Sequence, residues 1–103
     1  MRRITVRGPR TAIHAGEMVT FGQWFETLVN CCPHFSANLA QAREGNALKA
    51  AIVSGAEHVD VQEDVYQALA NLAKSPGLAF RPGYVMATVD HAEHLLSAKQ
   101  VEA

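Results

Sequence analysis

The sequence predicts an α+β fold, in which an N-terminal β-hairpin precedes a compact bundle of three to four helices. Strand-like alternation of residues occurs near the start of the chain, whereas from residue 20 onward apolar residues recur mainly at steps of three and four. A chain of 103 residues suffices for one core. We therefore expect a single domain over residues 1–103, with a basic hairpin in 1–15 and a mainly helical part in 20–99.

The hairpin is predicted from three consecutive segments. Residues 3–7 alternate between polar and β-branched side chains, residues 8–10 contain Gly and Pro, and residues 11–14 can return as a second strand. A short third strand near 58–61 is suggested by the alternation of His-Val-Asp-Val, although the same residues also fit an extended approach to the next helix.

The segment from residue 19 to residue 35 is predicted to form the helix around which the chain packs. Thr20 and Gln23 have the spacing of a capping box, and Pro33 is expected to end the helix. Its apolar side chains are predicted to form one buried stripe, which includes two reduced cysteines. The stripe consists of Phe21, Trp24, Phe25, Leu28, Cys31 and Cys32.

The next segment favours helix but leaves the number of helices open. Ser36 can cap residues 37–43, where Leu39 begins a short apolar stripe, and the Glu-Gly-Asn sequence at 44–46 is a potential interruption. Residues 47–54 return to helical composition before Gly55, which favours a left-handed helix terminus. One long helix and two short helices fit this pattern equally.

Two further helices are predicted in the C-terminal half. Residues 62–74 carry acidic residues in the first turn and a lysine in the last turn, as the helix dipole favours. A final helix over about 83–99 is expected to bury the stripe Val85, Val89, Ala92, Leu95 and Leu96.

No set of side chains has the spacing of a recognisable catalytic, cofactor or metal site. His91 and His94 are three residues apart, but they are predicted to face solvent, and no third ligand has a matching position. Cys31 or Cys32 with His34 is a poor nucleophile and base, because the surroundings are aromatic and apolar. We expect a protein that is not an enzyme and has no cofactor or small-molecule substrate; a metal-binding or redox protein is an alternative.

Charge is distributed unevenly, although the net charge is only −1. The predicted interface pairs four N-terminal arginines with four acidic residues near residue 60, and it contains Arg2, Arg3, Arg7, Arg10, Glu57, Asp60, Glu63 and Asp64. We expect protein partners, with self-association in which the basic hairpin of one copy meets the acidic segment of the next. The alternative is a nucleic-acid-binding regulator that uses the arginine-rich hairpin.

Membrane insertion and secretion are not predicted. No apolar run approaches the roughly 18 residues of a spanning helix, and the arginine-bearing start lacks the apolar region of a signal peptide. We expect the protein to be cytoplasmic where it is made.

The order of motifs from residue 19 to residue 98 resembles that of a viral group. The motifs are VTFGQWFETLV, CCPHF, an apolar helix, HVDVQEDVYQALANLAKSP, FRPGY and DHAEHLLSA. In this order the chain resembles small uncharacterised proteins encoded among the structural and tail-assembly genes of tailed bacteriophages. The resemblance implies a non-enzymatic assembly or virion component that acts through protein contacts, made in the host cytoplasm and present in the virion. It transfers no site residues.

Overall fold

A computed structural model describes residues 1–7, 10–12, 18–75 and 88–100, with side chains for 1–7, 19–75 and 88–100. The predicted α+β class is confirmed, with a small antiparallel sheet and four α-helices among these residues. In chain order the elements are β1 (Arg2–Thr5), β2 (Arg10–Ala12), β3 (Met18–Thr20), α1 (Phe21–Cys31), a 3₁₀ helix (Pro33–Ser36), α2 (Leu39–Val53), β4 (His58–Val61), α3 (Glu63–Lys74), α4 (Val89–Leu96) and β5 (Lys99–Gln100).

The strands pair differently from the predicted hairpin. β1 is the central strand of an antiparallel sheet of order β4-β1-β5, and β2 pairs with β3 instead. The predicted third strand near residue 60 is confirmed as β4. It pairs with β1, whereas the hairpin prediction gave residues 11–14 as the partner of β1. This pairing places buried Ile4 opposite buried Val59 and arginine opposite aspartate, contacts that stabilise antiparallel strands.

The central position of α1 is confirmed. Thr20 and Gln23 form both hydrogen bonds of the predicted capping box, and the helix ends two residues before Pro33. Four side chains of the predicted stripe are fully inaccessible to solvent, namely Phe21, Trp24, Phe25 and Leu28. The ring of Phe21 contacts those of Trp24 and Phe25, and these three are the largest fully buried side chains among the described residues.

Only one of the two cysteines belongs to that core. Cys32 is buried, whereas Cys31 is exposed, so the predicted burial of Cys31 is wrong. The helix ends at Cys31, and Cys32 has extended backbone angles that turn the chain inward. The buried stripe of α1 therefore leaves out Cys31, the last helical residue, and includes Cys32.

Residues 39–53 form one continuous helix rather than two. Asn38 caps it through a hydrogen bond from the Gln41 N–H to its side chain, so the predicted cap at Ser36 is wrong. Ser36 instead ends the 3₁₀ helix, and Leu39 is 68% exposed.

Glycines determine where α2 packs and where it ends. A Cβ atom at Gly45 would lie 2.9 Å from the Cβ and Cγ atoms of Phe35, so the absence of a side chain lets the 3₁₀ helix pack closely on α2. Gly55 has a φ of 87°, as predicted for a left-handed terminus. The N–H groups of Gly55 and Ala56 donate to the carbonyls of Ile52 and Ala51, which is the Schellman pattern.

α3 buries the apolar side chains of Val65, Leu69, Leu72 and Ala73, whereas α4 is rotated from its predicted orientation. Leu95 is buried, whereas Val89 and Leu96 are 47% and 38% exposed. The Tyr66 hydroxyl of α3 donates to the carbonyls of Leu95 and Leu96 at 3.2 and 3.3 Å, which ties the end of α4 to α3. Residues 83–87 of the predicted last helix lie outside the described residues. Within those described, no helix has the length and apolar character to cross a membrane.

Candidate functional site: the open edge of β4

Four of the eight predicted interface residues pair with one another inside the chain. Arg2 Nε lies 2.9 Å from Glu63 Oε2, and Arg3 Nε lies 2.9 Å from Asp60 Oδ1. The hydrogen bonds from these guanidinium groups lower the pKa values of Glu63 and Asp60 below their ordinary values. The prediction that these charges meet another copy is therefore wrong for these four residues, because β1 pairs with β4 and brings them together within one chain.

Three of the other four predicted interface residues have no ion-pair partner among the described residues. Arg7, Glu57 and Asp64 are exposed, and none of them forms an ion pair with another residue that the structure describes. The side chain of Arg10 lies outside the described side chains. Arg2 and Arg3 are paired to carboxylates, so Arg7 is the one described side chain of the arginine cluster that remains for the nucleic-acid alternative.

β4 has one open edge among the residues described. It is an outer strand of the sheet, and the Val6 N–H donates to the Glu57 carbonyl at 2.9 Å just before the ladder begins. Hydrogen-bonded pairs alternate along antiparallel strands, so Val59 and Val61 bond to β1. The backbone N–H and C=O groups of His58 and Asp60 must then point away from β1.

The other side of β1 supports this assignment. Thr5 lies opposite His58 in a pair that is not hydrogen-bonded, so the Thr5 carbonyl should point towards the β5 side of the sheet. There the His94 Nε2 atom lies 2.8 Å from the Thr5 oxygen. The imidazole of His94 is thus the hydrogen-bond partner of the Thr5 carbonyl, which lies beyond the end of the short strand β5.

A groove of about 480 Å³ borders the open edge of β4. One wall is a face of α2 that contains Glu44, Ala47, Leu48 and Ala51, at helical spacings of three and four. The opposite wall consists of β4 itself, and Val65 of α3 also lines the groove. Small alanine side chains leave the space open, so an apolar groove and unpaired backbone groups lie side by side.

The chain path explains why these walls are neighbours. The Schellman terminus of α2 leads through residues 54–57 directly into β4, and only Gln62 separates β4 from α3. Among the described residues, one continuous stretch from Glu44 to Val65 and Met1 therefore line the groove. The alanine spacing on α2 was visible in the sequence, but the open edge was not, because it follows from the long-range pairing of β1 with β4.

The surroundings of the groove are acidic. Glu57 precedes β4, Asp64 lies in the first turn of α3, and Glu44 is half exposed on the α2 wall. Glu44 contacts the His34 imidazole at 3.3 Å, a pair that is ionic only when the histidine is protonated. No described lysine or arginine side chain lines the groove.

The histidines of α4 both contact main-chain carbonyls, and the predicted exposure of His91 is wrong. His91 is fully buried, and its Nε2 atom lies 3.0 Å from the Val19 carbonyl oxygen, so Nε2 carries the proton. Its Nδ1 atom is buried without a hydrogen-bond partner among the described residues, and burial lowers the pKa of His91. The two imidazoles bond to separate carbonyl oxygens, and the described residues contain no group of three potential metal ligands.

The cysteine and histidine of residues 31–34 form no described nucleophile and base. Burial raises the pKa of Cys32, which disfavours its thiolate. His34 instead contacts Glu44 and Gln41. That the protein is not an enzyme stays a prediction.

Comparisons of the chain with protein-family models, curated proteins and solved structures give no match. The resemblance to phage assembly proteins therefore stays a prediction.

Proposed function

We propose that this protein is a non-enzymatic assembly component that self-associates through the acidic surface around β4. The observation that supports this proposal is the position of Glu57 and Asp64, two exposed carboxylates without an ion-pair partner among the described residues, at the two ends of an open strand. Such a surface favours a basic segment of another protein chain.

The proposed basic segment begins at Arg7, which has no ion-pair partner among the described residues. Arg7 is exposed two residues after the end of β1, and Arg10 begins β2, whereas Arg2 and Arg3 are paired within the chain. We further propose that Arg7 of one copy contacts Asp64 of the next without a reciprocal contact, a heterologous arrangement that closes into a ring or extends into a stack. A role in a phage virion or in tail assembly, in the host cytoplasm or in the finished particle, is consistent with this arrangement and forms part of the proposal.

Light scattering over a range of protein concentrations at low and moderate salt tests this proposal. Asp64→Lys should weaken association about three- to tenfold, because one exposed pair is lost and a repulsion replaces it. Arg7→Glu should have the same effect, and combining both reversals in one chain should partly restore association. Glu93→Lys makes the same charge change on α4 and serves as the matched control.

The opposite result is also well defined. A protein that remains monomeric at all concentrations, or an oligomer that both single reversals leave unchanged, would contradict the proposal. Salt-sensitive binding to duplex DNA that is lost in Arg7→Glu would favour the nucleic-acid alternative instead.

A further inference from the structure

We infer that β4 accepts an extended segment of a partner protein as an added strand, with apolar side chains in the neighbouring groove and basic residues at its ends. This inference rests on the proposed function, because it specifies how a partner chain would use the acidic surface around β4. Strand addition combines main-chain hydrogen bonds with pockets for alternate side chains.

The main-chain requirement is met by His58 and Asp60. Their N–H and C=O groups point away from β1, which gives two donors and two acceptors along the open edge. No described residue forms a hydrogen bond with these four groups. An exposed strand edge of this kind is a template for pairing with another chain.

The side-chain requirement is met by the groove. An added strand lies about 4.8 Å from β4, and every second side chain faces the same way as Val59 and Val61, which are buried. On that side the groove offers Ala47, Leu48 and Ala51 as an apolar wall. Its volume of about 480 Å³ falls within the usual range for ligand sites, roughly 300–1,000 Å³. Small or medium apolar side chains at alternate positions therefore fit the site.

Charge determines which extended segments are favoured. Glu57 and Asp64 flank the strand at its two ends, and Glu44 lies on the opposite wall. Asp60 also lines the groove, but its carboxylate is paired with Arg3. A segment with a lysine or arginine at each end places positive charge beside these carboxylates, whereas an acidic segment would be repelled.

Capped pentapeptides provide a direct test with the intact protein. The probe is Lys-Val-Thr-Val-Lys, and its controls are Glu-Val-Thr-Val-Glu and the first peptide with one backbone nitrogen methylated at a bonding position. Binding is followed by NMR through the amide shifts of His58 and Asp60, and through that of Asp60 alone where His58 is replaced by proline. We expect the acidic and methylated peptides to bind at least tenfold more weakly than the probe at low salt.

Two protein variants separate edge pairing from general surface binding. His58→Pro removes one outward N–H group but none of the bonds to β1, so the fold should persist while binding falls at least tenfold. Ala51→Leu fills the groove and should have a similar effect. Ala50→Leu changes an exposed neighbour on α2 that does not line the groove, and it should bind like the unmodified protein.

The outcomes separate this inference from the proposed function. No binding of the probe at millimolar concentration, or unchanged binding by folded His58→Pro, overturns strand addition; the assembly proposal survives if association still depends on Asp64. Displacement of the protein's own oligomer by the probe supports the inference and identifies a second copy as the occupant. Probe binding that leaves the oligomer intact supports it with a different protein as the occupant.

Discussion

Arg3 and Asp60 face each other across β1 and β4 and form a two-point ion pair, with Nε 2.9 Å from Oδ1 and Nη2 3.2 Å from Oδ2. The planar guanidinium matches the carboxylate, so the pair supports the register of the two strands. The opposite charges that the sequence suggested would join two molecules are thus partly used to join two distant parts of one molecule.

Reversing Arg3 should therefore affect folding within one chain. We expect Arg3→Glu to lower the melting temperature, because it places two like charges on directly opposite residues. Arg3→Glu combined with Asp60→Arg should restore most of the loss. The melting temperatures of Arg3→Glu, Asp60→Arg and the double variant are measured at low salt. A double variant whose loss equals the sum of the two single losses would show that the ion pair does not act within the chain.

Cys31 and Cys32 should react very differently despite being adjacent. Cys31 is exposed, whereas Cys32 is buried and its thiol pKa is raised by burial. Under native conditions at pH 8, an aromatic disulfide reagent should modify one thiol per chain rapidly and the second only on unfolding. Cys31→Ser should abolish the rapid phase, and a rapid phase that persists in this variant would place Cys32 at the surface.

Gly45→Ala should destabilise the protein although alanine favours helix by about 1 kcal/mol over glycine. The added Cβ would lie 2.9 Å from two atoms of Phe35, and overpacking of this kind typically costs about 1–3 kcal/mol. Gly22→Ala on α1 is the matched control, because its Cβ would come no closer than 3.5 Å to Val6. Chemical denaturation compares the two, and equal free energies of unfolding would indicate that Phe35 can move aside.

Burial of His91 should make stability depend on pH below the ordinary histidine pKa of 6.5. The folded-state pKa is lowered by desolvation, so the unfolded chain takes up the proton first as the pH falls. Stability is therefore complete above pH 6.5 and decreases below it. His91→Gln keeps a donor for the Val19 carbonyl without titrating. Between pH 7.5 and 5.5, its free energy of unfolding, measured by chemical denaturation, should therefore change less with pH than that of the unmodified protein. The same dependence of the free energy of unfolding on pH in the two proteins would contradict the buried, neutral state of His91.

Local signals in the sequence predicted local structure well. The capping box of Thr20 and Gln23, the end of α1 before Pro33 and the left-handed Gly55 depend on residues only a few positions apart. The apolar periodicity of α1 identified the most deeply buried rings. These features are determined by nearby residues, so a single sequence contains the information.

The errors arose where distant contacts decide the structure. The partner of β1 is about 57 residues away in the sequence, whereas residues 11–14 are close by. The ion pair between Arg3 and Asp60 supports the distant pairing, and local sequence patterns cannot show it. His91 was assigned to the surface because it is polar, but the Val19 carbonyl satisfies its Nε2 N–H and allows burial. The open edge of β4 could not be predicted without the pairing of β1, so the candidate site became visible only in three dimensions.

Amide hydrogen exchange in β4 tests the central claim, that this strand has an open edge which assembly closes. We expect the amides of His58 and Asp60 to exchange rapidly in dilute protein, whereas those of Val59 and Val61 are protected by β1. Raising the protein concentration until it associates should protect His58 and Asp60 selectively. Protection of these two amides in the dilute monomer, or rapid exchange that persists in the oligomer, would contradict the account.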